Sequence, residues 1–521
     1  MLAGSKLAIL TLGVLATGSV GVAQTTWSQL LVESQVLPGA DQLPGFQANE
    51  LVRNNGFRDF TVIPNGNFAG LVSTDRFAPF GQEDWYLFGS VDRGTTVGAL
   101  RREGTYDGQN QLELRSAVGV DLAGNLFYEA ELAAPGAEQS LWLNDTLLLE
   151  EGDVVPAGPL MGSTLDSFTR TTLAPNGDAY WVSSYSGASG SGVAIFRDLV
   201  NYEVLLQGGD SIGGGLTAEP ELFSGNLSWS AERTNYLTSI KVAATPVNND
   251  PNFLIDEAVA LNGQVVSVEG GGVLREGDTV PAEAGGLPGE TWAPGSLMAV
   301  NEAGDWAASS SVRMNGVGNT TSDMIVYNGE IVYRDGDVVD GHTLSGLPQD
   351  LSINDRGDLA FVWDNKAFLN GEIVAEVGDL VDTDDDGVND TAIINLFDLD
   401  LTNLPSGDGD GKPLAYMKAR IAGSLEIVAR NALVTLEGDY NGDGAVNAAD
   451  YTVWRDTEGS TLLLGADGDL SNTVDAGDFT VWSDSYGGVA AAPAVGVPEP
   501  LSLGMASVAC LALGAWRPYR V

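Results

Sequence analysis

The sequence predicts an all-β main body, in the form of a six- or seven-bladed β-propeller, followed by a small α-helical module and a C-terminal apolar helix. Two observations predict the body. The body contains a degenerate repeat, and most of the 67 glycines of the chain lie between short apolar runs. A third observation, a duplicated acidic loop near the C-terminus, predicts the helical module. A chain of 521 residues exceeds one ordinary globular core, so a repeat architecture or several domains are expected.

The first repeated element joins an asparagine or aspartate to a glycine turn and then to an apolar strand. Its copies are NGNFA at 65–69, DLAGNLF at 121–127, NGDAYW at 176–181, NEAGDWA at 301–307 and NDRGDLAF at 354–361. Each copy predicts a turn that leads into a buried strand.

The second repeated element is a hairpin followed by a Gly-Asp pair. Asn-Gly between apolar runs, at 328–329 and 370–371, is the strongest short-range hairpin signal. The Gly-Asp pairs are Gly152-Asp153, Gly209-Asp210, Gly277-Asp278, Gly336-Asp337 and Gly378-Asp379, with Gly104-Thr105 as a weaker copy. These aspartates either bond to their own turns or serve as ligand or calcium positions, and turn aspartates are much commoner.

Six units spaced roughly 40 to 70 residues apart favour a propeller, because radial blades bury one another's faces. The propeller-like domain is predicted over residues 24–435. A seventh blade would consist of residues 414–427 together with the N-terminal strand. The alternative is two β-sandwiches in series.

The charge balance excludes some functions. With 71 acidic and 24 basic residues, the formal charge is −47, which opposes nucleic-acid binding and attraction to anionic membranes. Cys510 is the only cysteine, so intrachain disulfides and thiolate zinc sites are excluded. His342 is the only histidine and is predicted to be a loop residue rather than part of a catalytic relay.

Residues 439–450 and 467–478 repeat the spacing of an EF-hand loop, which holds Ca²⁺ through oxygen ligands at positions 1, 3, 5, 7, 9 and 12. Position 6 is Gly444 in the first copy and Asn472 in the second, and asparagine tolerates the left-handed backbone. The predicted ligands of the first loop are Asp439, Asn441, Asp443, the carbonyl of Ala445, Asn447 and Asp450. Those of the second loop are Asp467, Asp469, Ser471, the carbonyl of Thr473, Asp475 and Asp478.

The loops are followed by DYTVW at 450–454 and DFTVW at 478–482, so each should open a short helix that packs against the other. Aspartate at position 12, the lack of a preceding helix and the tandem spacing resemble type I dockerin repeats over residues 437–487. The resemblance implies calcium-dependent folding and a cohesin-like partner. The pairs Ala448-Ala449 and Ala476-Gly477 depart from the Ser-Thr pair of many dockerins, which weighs against cohesin binding.

A further acidic run at residues 382–390 begins with the same spacing but has Ile393 at position 12. It is either a weaker calcium loop or a solvated turn.

The N-terminus resembles a secretory signal. Residues 1–23 contain Lys6, an apolar run from Leu7 to Val20, and small residues at Gly21 and Ala23. Cleavage near Ala23 would export the protein.

The C-terminus resembles the PEP-CTERM sorting signal of Gram-negative and planctomycete bacteria. After a linker at 488–496, residues 497–521 contain VPEP, an apolar run at 501–516, Arg517 and Arg520. The resemblance implies an exosortase-type sorting enzyme, transient inner-membrane anchoring, and a final place at the cell surface, in the outer membrane or outside the cell. The alternative is a plain membrane anchor, but the run is short for a bilayer core about 30 Å thick.

These features favour a secreted, surface-sorted, non-enzymatic binding or structural protein, for example in an extracellular matrix. The alternative is a polysaccharide-binding or polysaccharide-degrading protein recruited through the dockerin-like module. If the body is catalytic, a carboxylate-based glycoside hydrolase is the expected class, because no phosphate-binding, dinucleotide or serine-elbow motif is present.

Overall fold

The computed structural model describes residues 27–489 except for short stretches of the chain. The predicted signal at 1–23, the sorting signal with its helix at 497–521 and most of the linker at 488–496 lie outside the described residues. The stretches left out between residues 27 and 489 are 34, 44–50, 64, 76–83, 92–95, 107–108, 133–138, 188–189, 248–249, 316, 384–388, 408–411, 424 and 432–435.

The body is a seven-bladed β-propeller, so the propeller prediction is confirmed and the alternative of two sandwiches is wrong. Seven antiparallel sheets follow one another along the chain, and the first strand of each blade lies innermost. The strands of each blade are given from inner to outer. Blade 1 consists of Leu51–Val62, Phe68–Asp75, Asp84–Ser90 and Gly98–Arg102. Blade 2 consists of Gln109–Val120, Leu126–Leu132, Gln139–Leu143 and Thr146–Glu150. Blade 3 consists of Thr164–Leu173, Ala179–Gly187, Gly190–Arg197 and Glu203–Gln207. Blade 4 consists of Leu216–Trp229, Tyr236–Val247, Asp250–Leu261 and Gln264–Val265.

The remaining blades complete the ring. Blade 5 consists of Glu290–Val300, Trp306–Met314, Val317–Tyr327 and Glu330–Arg334. Blade 6 consists of Pro348–Ile353, Leu359–Trp363, Lys366–Leu369 and Glu372–Glu376. Blade 7 consists of Thr391–Pro405, Pro413–Ile421, Leu425–Arg430 and Ser28–Val32. The short strands Thr105–Tyr106, Ser211–Gly213 and Leu380–Val381 pair with the starts of the inner strands of blades 2, 4 and 7. A hairpin of Val338–Val339 and His342–Thr343 precedes blade 6.

The N-terminal strand closes the ring, as predicted. Ser28–Val32 forms the outer edge of blade 7, where Ser28 pairs with Arg430 and Val32 with Ile427. Trp27, which is 2% exposed, donates a hydrogen bond from its indole Nε1 to the carbonyl of Val374 in blade 6. The two ends of the body are therefore held in one sheet.

Seven apolar clusters are found among the described residues of the body, one between each pair of neighbouring blades. The cluster between blades 6 and 7, for example, includes Trp27, Val362 and Met417. The same arrangement closes the ring between blades 7 and 1, where Tyr416 packs against Phe68 with ring centroids 4.9 Å apart. Burying each such side chain contributes roughly 1.5–3 kcal/mol, so contacts between blades hold the ring together.

The two repeated sequence elements form one hydrogen-bond network in the blade. In blade 5, Asn301 Oδ1 accepts from Asp305 N at 2.9 Å, and Asp305 Oδ1 accepts from Asn328 Nδ2 at 2.8 Å. Asn328 Oδ1 in turn accepts from Trp306 N at 2.8 Å. The hairpin asparagine thus fixes the turn that follows the inner strand. Blades 2 and 6 repeat the network with Asn144 and Asn370.

The Gly-Asp pairs join consecutive blades. Gly378 N donates to Ile393 O at 2.9 Å and Ile393 N donates to Asp379 O at 2.8 Å, which ties the end of blade 6 to the inner strand of blade 7. The Asp379 carboxylate accepts from Glu376 N at 2.9 Å. Asp153, Asp210 and Asp337 cap their own turns in the same way. These aspartates therefore have the structural role of turn residues.

Two helices follow the propeller, at the predicted positions after the acidic loops. Helix α1 spans Ala448–Thr457 and helix α2 spans Ala476–Ser485. Short 3-10 turns occur at Ala40–Gln42 and Leu464–Ala466. Within the described part of the chain, no helix combines the length and apolar character needed to cross a membrane.

Candidate calcium centre and central channel

The first acidic loop is folded around its own carboxylates. Asp439 accepts backbone hydrogen bonds from Asp443 N at 3.1 Å and Gly444 N at 2.8 Å. Asp450, which is fully buried, accepts from Asn441 N at 3.1 Å and Asn447 N at 2.7 Å. The first and twelfth positions of the loop are thereby held inside it.

The second loop repeats this pattern position for position. Asp467 accepts from Ser471 N at 3.0 Å and Asn472 N at 2.8 Å. Asp478 accepts from Asp469 N at 3.0 Å and Asp475 N at 2.6 Å. Two segments with different intervening residues therefore fold into the same loop.

The structure brings three of the predicted ligands together. One carboxylate oxygen each from Asp467, Asp469 and Asp478 lies within 4.8 Å of the others, with Asp467 and Asp478 buried and Asp469 exposed. The Thr473 carbonyl accepts from Ser471 Oγ at 3.0 Å, so both predicted ligands are on the same side of the loop. This oxygen-rich arrangement is the chemistry that Ca²⁺ prefers.

The other predicted ligands occupy the rim of the first loop and the helix starts. Asn441 Nδ2 donates to Asp443 Oδ2 at 3.0 Å, and Asn447 Nδ2 donates to the Ala445 carbonyl at 2.9 Å. Asn447 and Asp475, at position 9, are also the N-caps of α1 and α2. The positive ends of both helices therefore face the acidic loops.

Burial and mutual repulsion leave negative charge uncompensated in both loops. Burial, followed by the charges of Asp450 and Asp443, raises the pKa of Asp439. Burial, followed by the charges of Asp469 and Asp467, raises the pKa of Asp478. A bound divalent cation would relieve both effects, so the residues fit calcium.

The two loop-helix units differ at one position that the sequence pattern did not explain. Tyr440, after the first ligand of loop 1, donates its hydroxyl to the carbonyl of Asp478 at 2.6 Å. The equivalent residue in loop 2 is Gly468, where a Cβ would lie 2.5 Å from the Tyr440 hydroxyl. A tyrosine in one copy and a glycine in the other therefore let the units pack together.

The acidic run at 382–390 lacks a twelfth ligand. Ile393 is 1% exposed in the core of blade 7, and residues 384–388 lie outside the described part. Asp390 accepts from Thr391 Oγ1 at 2.9 Å.

His342 does not form a serine relay with its neighbours. Its Nε2 lies 2.9 Å from Asp364 Oδ2, and the same carboxylate oxygen accepts from Ser345 Oγ at 3.1 Å. The aspartate therefore stands between serine and histidine, whereas a relay needs the histidine in the middle.

The inner strands enclose a second candidate site, a channel cavity of about 440 Å³. Blades 1, 4, 5, 6 and 7 line it, and its polar residues include Arg233, Asp355 and Asp400. Burial lowers the pKa of Arg233 to about 10, and burial raises the pKa of Asp355. Both groups thus face a surrounding from which water is largely removed.

Three carboxylates, one of which is Asp400 of the channel lining, converge between blades 6 and 7. Asp350 accepts from Leu399 N at 2.8 Å and lies beside Asp398 and Asp400. Burial, then the charges of Asp398 and Asp400, raises the pKa of Asp350 well above its usual range. Burial, followed by the charge of Asp398, also raises the pKa of Asp400 well above its usual range. Burial raises the pKa of Asp398, although the charge of nearby Lys418 acts to lower it.

This carboxylate cluster was not predicted from the sequence, although a signal was present. The run Asp398-Leu399-Asp400-Leu401 alternates acid and leucine, and strand periodicity puts both acids on one face. That this strand is the innermost of blade 7, with Asp400 lining the channel cavity, is a property of the assembled ring.

Comparisons with known proteins give similarity in fold only. No protein-family model and no curated protein matches the chain. Solved structures with partial similarity include the polysaccharide lyase Uly1, at 10% identity and TM-score 0.39, covering 79% of this chain and 100% of that one. An α-L-arabinanase from Penicillium chrysogenum, complexed with arabinobiose, has 12% identity, TM-score 0.30 and coverages of 79% and 99%. The Dos1 propeller has 6% identity, TM-score 0.33 and coverages of 74% and 80%.

Proposed function

We propose that this chain is a secreted, surface-sorted binding or structural protein whose dockerin-like module, residues 437–487, binds two calcium ions. The convergence of Asp467, Asp469 and Asp478 carries the proposal, since two buried carboxylates and one exposed carboxylate within 4.8 Å of one another offer the oxygen ligands that Ca²⁺ prefers. The matching backbone hydrogen bonds around Asp439 support a second site.

Export and sorting complete this proposal. The segments at 1–23 and 497–521 supply the signals, and an exosortase-type enzyme is the expected processing partner. The mature protein would then lie at the cell surface, in the outer membrane or outside the cell, with a transient inner-membrane stage. Extracellular fluids commonly supply the calcium concentrations that such loops need.

Calcium titration of the full chain tests the metal proposal. We expect two binding events by calorimetry and a higher melting temperature in calcium than in chelator. Asp467→Ala should remove one event, and Asp439→Ala with Asp467→Ala should remove both. Asp484→Ala, at an exposed helix position, is the matched control and should bind like the wild type. An unchanged melting profile in chelator would contradict the proposal.

The carboxylate cluster at the channel favours a second candidate function, binding or cleavage of an extracellular polysaccharide. Asp400 lines the channel cavity, and Asp350 and Asp398 lie beside it. A member kept protonated by its raised pKa would be the general acid, and an ionised neighbour would be the base or nucleophile of a carboxylate-based glycoside hydrolase. The full chain should be tested on a panel of extracellular polysaccharides. Cleavage that disappears in Asp400→Asn would favour this function, whereas neither binding nor cleavage would remove it.

A further inference from the structure

The segment between the two calcium loops, residues 460–466, lies across one mouth of the propeller channel. We name it the cap segment. The Leu462 carbonyl accepts from Asn403 Nδ2 of blade 7 at 3.3 Å. Thr461 Oγ1 donates to Glu232 Oε1, beside blade 4, at 3.4 Å. Blade 4 stands opposite blade 7 in a seven-membered ring, so two adjacent residues that contact both blades lie near the axis.

Apolar packing seats the cap segment on the turns that follow the inner strands. Leu464 and Ala466 are 1% and 0% exposed, and Leu122 of blade 2 and Leu404 of blade 7 pack against their cluster. A Cβ placed on Gly465 would lie 3.2 Å from Pro405 Cδ, so the cap and blade 7 are in close contact. The contact is closely packed, and a larger residue at position 465 would disturb it.

The cap segment is also tied to the second calcium loop. Gly459 N donates to Val474 O at 2.7 Å and Val474 N donates to Ser460 O at 2.9 Å. Val474 is fully buried and directly follows Thr473, the position-7 residue. A cation bound by the Thr473 carbonyl would therefore fix the backbone next to Val474, which is hydrogen-bonded to the start of the cap segment.

Asn472 supplies a second link between this loop and the propeller. Its backbone N–H donates to Asp467 Oδ2 at 2.8 Å, and its side-chain Oδ1 accepts from Asn65 Nδ2 of blade 1 at 3.3 Å. Gly444, at the equivalent position of loop 1, has no side chain to make such a contact. The asparagine that replaces glycine in the second loop thus connects this loop to blade 1.

We propose that calcium in the second loop controls closure of this mouth by the cap segment. With calcium, the channel is entered from the opposite mouth alone; without it, the cap loosens and a second entrance opens. The inference rests on the proposed calcium binding.

Hydrogen exchange on the full chain, with calcium or in calcium-free buffer, tests the proposal. In wild type, calcium should slow exchange of residues 460–466, and of Asn403 and Leu404 at the end of the inner strand of blade 7, by about tenfold or more. Gly465→Val should bind both calcium ions yet lose most of that protection, since the added methyl groups meet Pro405. Asn472→Gly should keep the loop, lose the Asn65 contact and lose part of the protection. Asp484→Ala, at an exposed position of α2 outside both loops, should match wild type.

Two results would overturn the inference. If calorimetry shows two bound ions but exchange of residues 460–466 is the same with and without calcium, cap control is wrong and the proposed calcium function stands. If wild type binds no calcium, the proposed function fails, and calcium control of the cap fails with it. Calorimetry and exchange therefore separate the two failures.

Discussion

The indole Nε1 of Trp454, in α1, donates a hydrogen bond to the backbone carbonyl of Asp475 in the second loop, 2.7 Å away. Trp482 of α2 makes the reciprocal bond to the carbonyl of Asn447 in the first loop at 2.9 Å. Each helix therefore holds the loop that it does not follow. The two loop-helix units fold as one, with Tyr451, Trp454, Phe479 and Trp482 in mutual ring contact between them.

Removing the Trp454 donor should weaken the opposite loop. Trp454→Phe keeps an aromatic ring but leaves the Asp475 carbonyl without this partner, a loss of about 1 kcal/mol. Calorimetry should show calcium affinity reduced about fivefold at the second loop, with the first little changed. Trp482→Phe is the matched variant and should reverse the pattern. Equal losses at both loops in either variant would contradict this reciprocal arrangement.

The pH dependence of the module should change sign with calcium. The pKa values of Asp439 and Asp478 are raised on folding, so in calcium-free buffer stability is highest below about pH 4 and falls as the pH rises toward the folded-state pKa. Calcium binds the ionised carboxylates, so in excess calcium stability should instead rise with pH. Melting curves from pH 4 to 8 with and without calcium measure this. Parallel pH profiles in both buffers would show that no cation binds these carboxylates.

Asp400→Asn should stabilise the propeller at neutral pH. The pKa of Asp400 is raised by burial and by Asp398, so ionisation above about pH 4 opposes folding in the wild type. The variant should gain about 1–2 kcal/mol at pH 7, and the gain should vanish below pH 4. Denaturant unfolding at several pH values tests this, with Asp484→Asn as the exposed control. A variant less stable than the wild type at pH 7 would refute the argument.

The hairpin asparagines should be separable into backbone and side-chain roles. Asn370 has φ 51°, its Oδ1 accepts from Leu359 N at 2.9 Å, and its Nδ2 donates to Asp358 Oδ1 at 2.8 Å. Asn370→Ala loses both bonds and strains the backbone, so we expect about 2–3 kcal/mol of destabilisation. Asn370→Gly restores the backbone freedom and should lose about 1 kcal/mol less. Equal destabilisation in denaturant unfolding would show that the positive φ carries no strain.

The repeats made the propeller predictable because each blade uses the same local chemistry. Asn301 and Asn328 belong to the two repeated sequence motifs, and Asp305 joins them in one hydrogen-bond network. Blade 4 makes the same bonds with other residue types: Asn235 N donates to Ser230 Oγ at 3.0 Å, and Asn262 bonds both Asn235 and Tyr236 N. The shortage of intact motifs explains why the sequence left the choice between six and seven blades open.

The channel and the cap could not be predicted, because both depend on which turns meet in space. Asn65 and Asn472 are 407 positions apart in the chain. Asparagine is an ordinary residue for a turn at both positions, so no local sequence pattern predicts the contact. Asp350 and Asp400 likewise converge only because blade 6 and blade 7 stand side by side.

Closing the ring through Ser28–Val32 sets the order in which the molecule can be completed. The partner of Ser28, Arg430, leaves the ribosome about 400 residues later, which takes roughly 20–80 s at ordinary rates of synthesis. During that interval the first strand is an unpaired edge, open to pairing with other chains. A nascent-chain chaperone that masks this strand would therefore protect the protein until its last blade arrives.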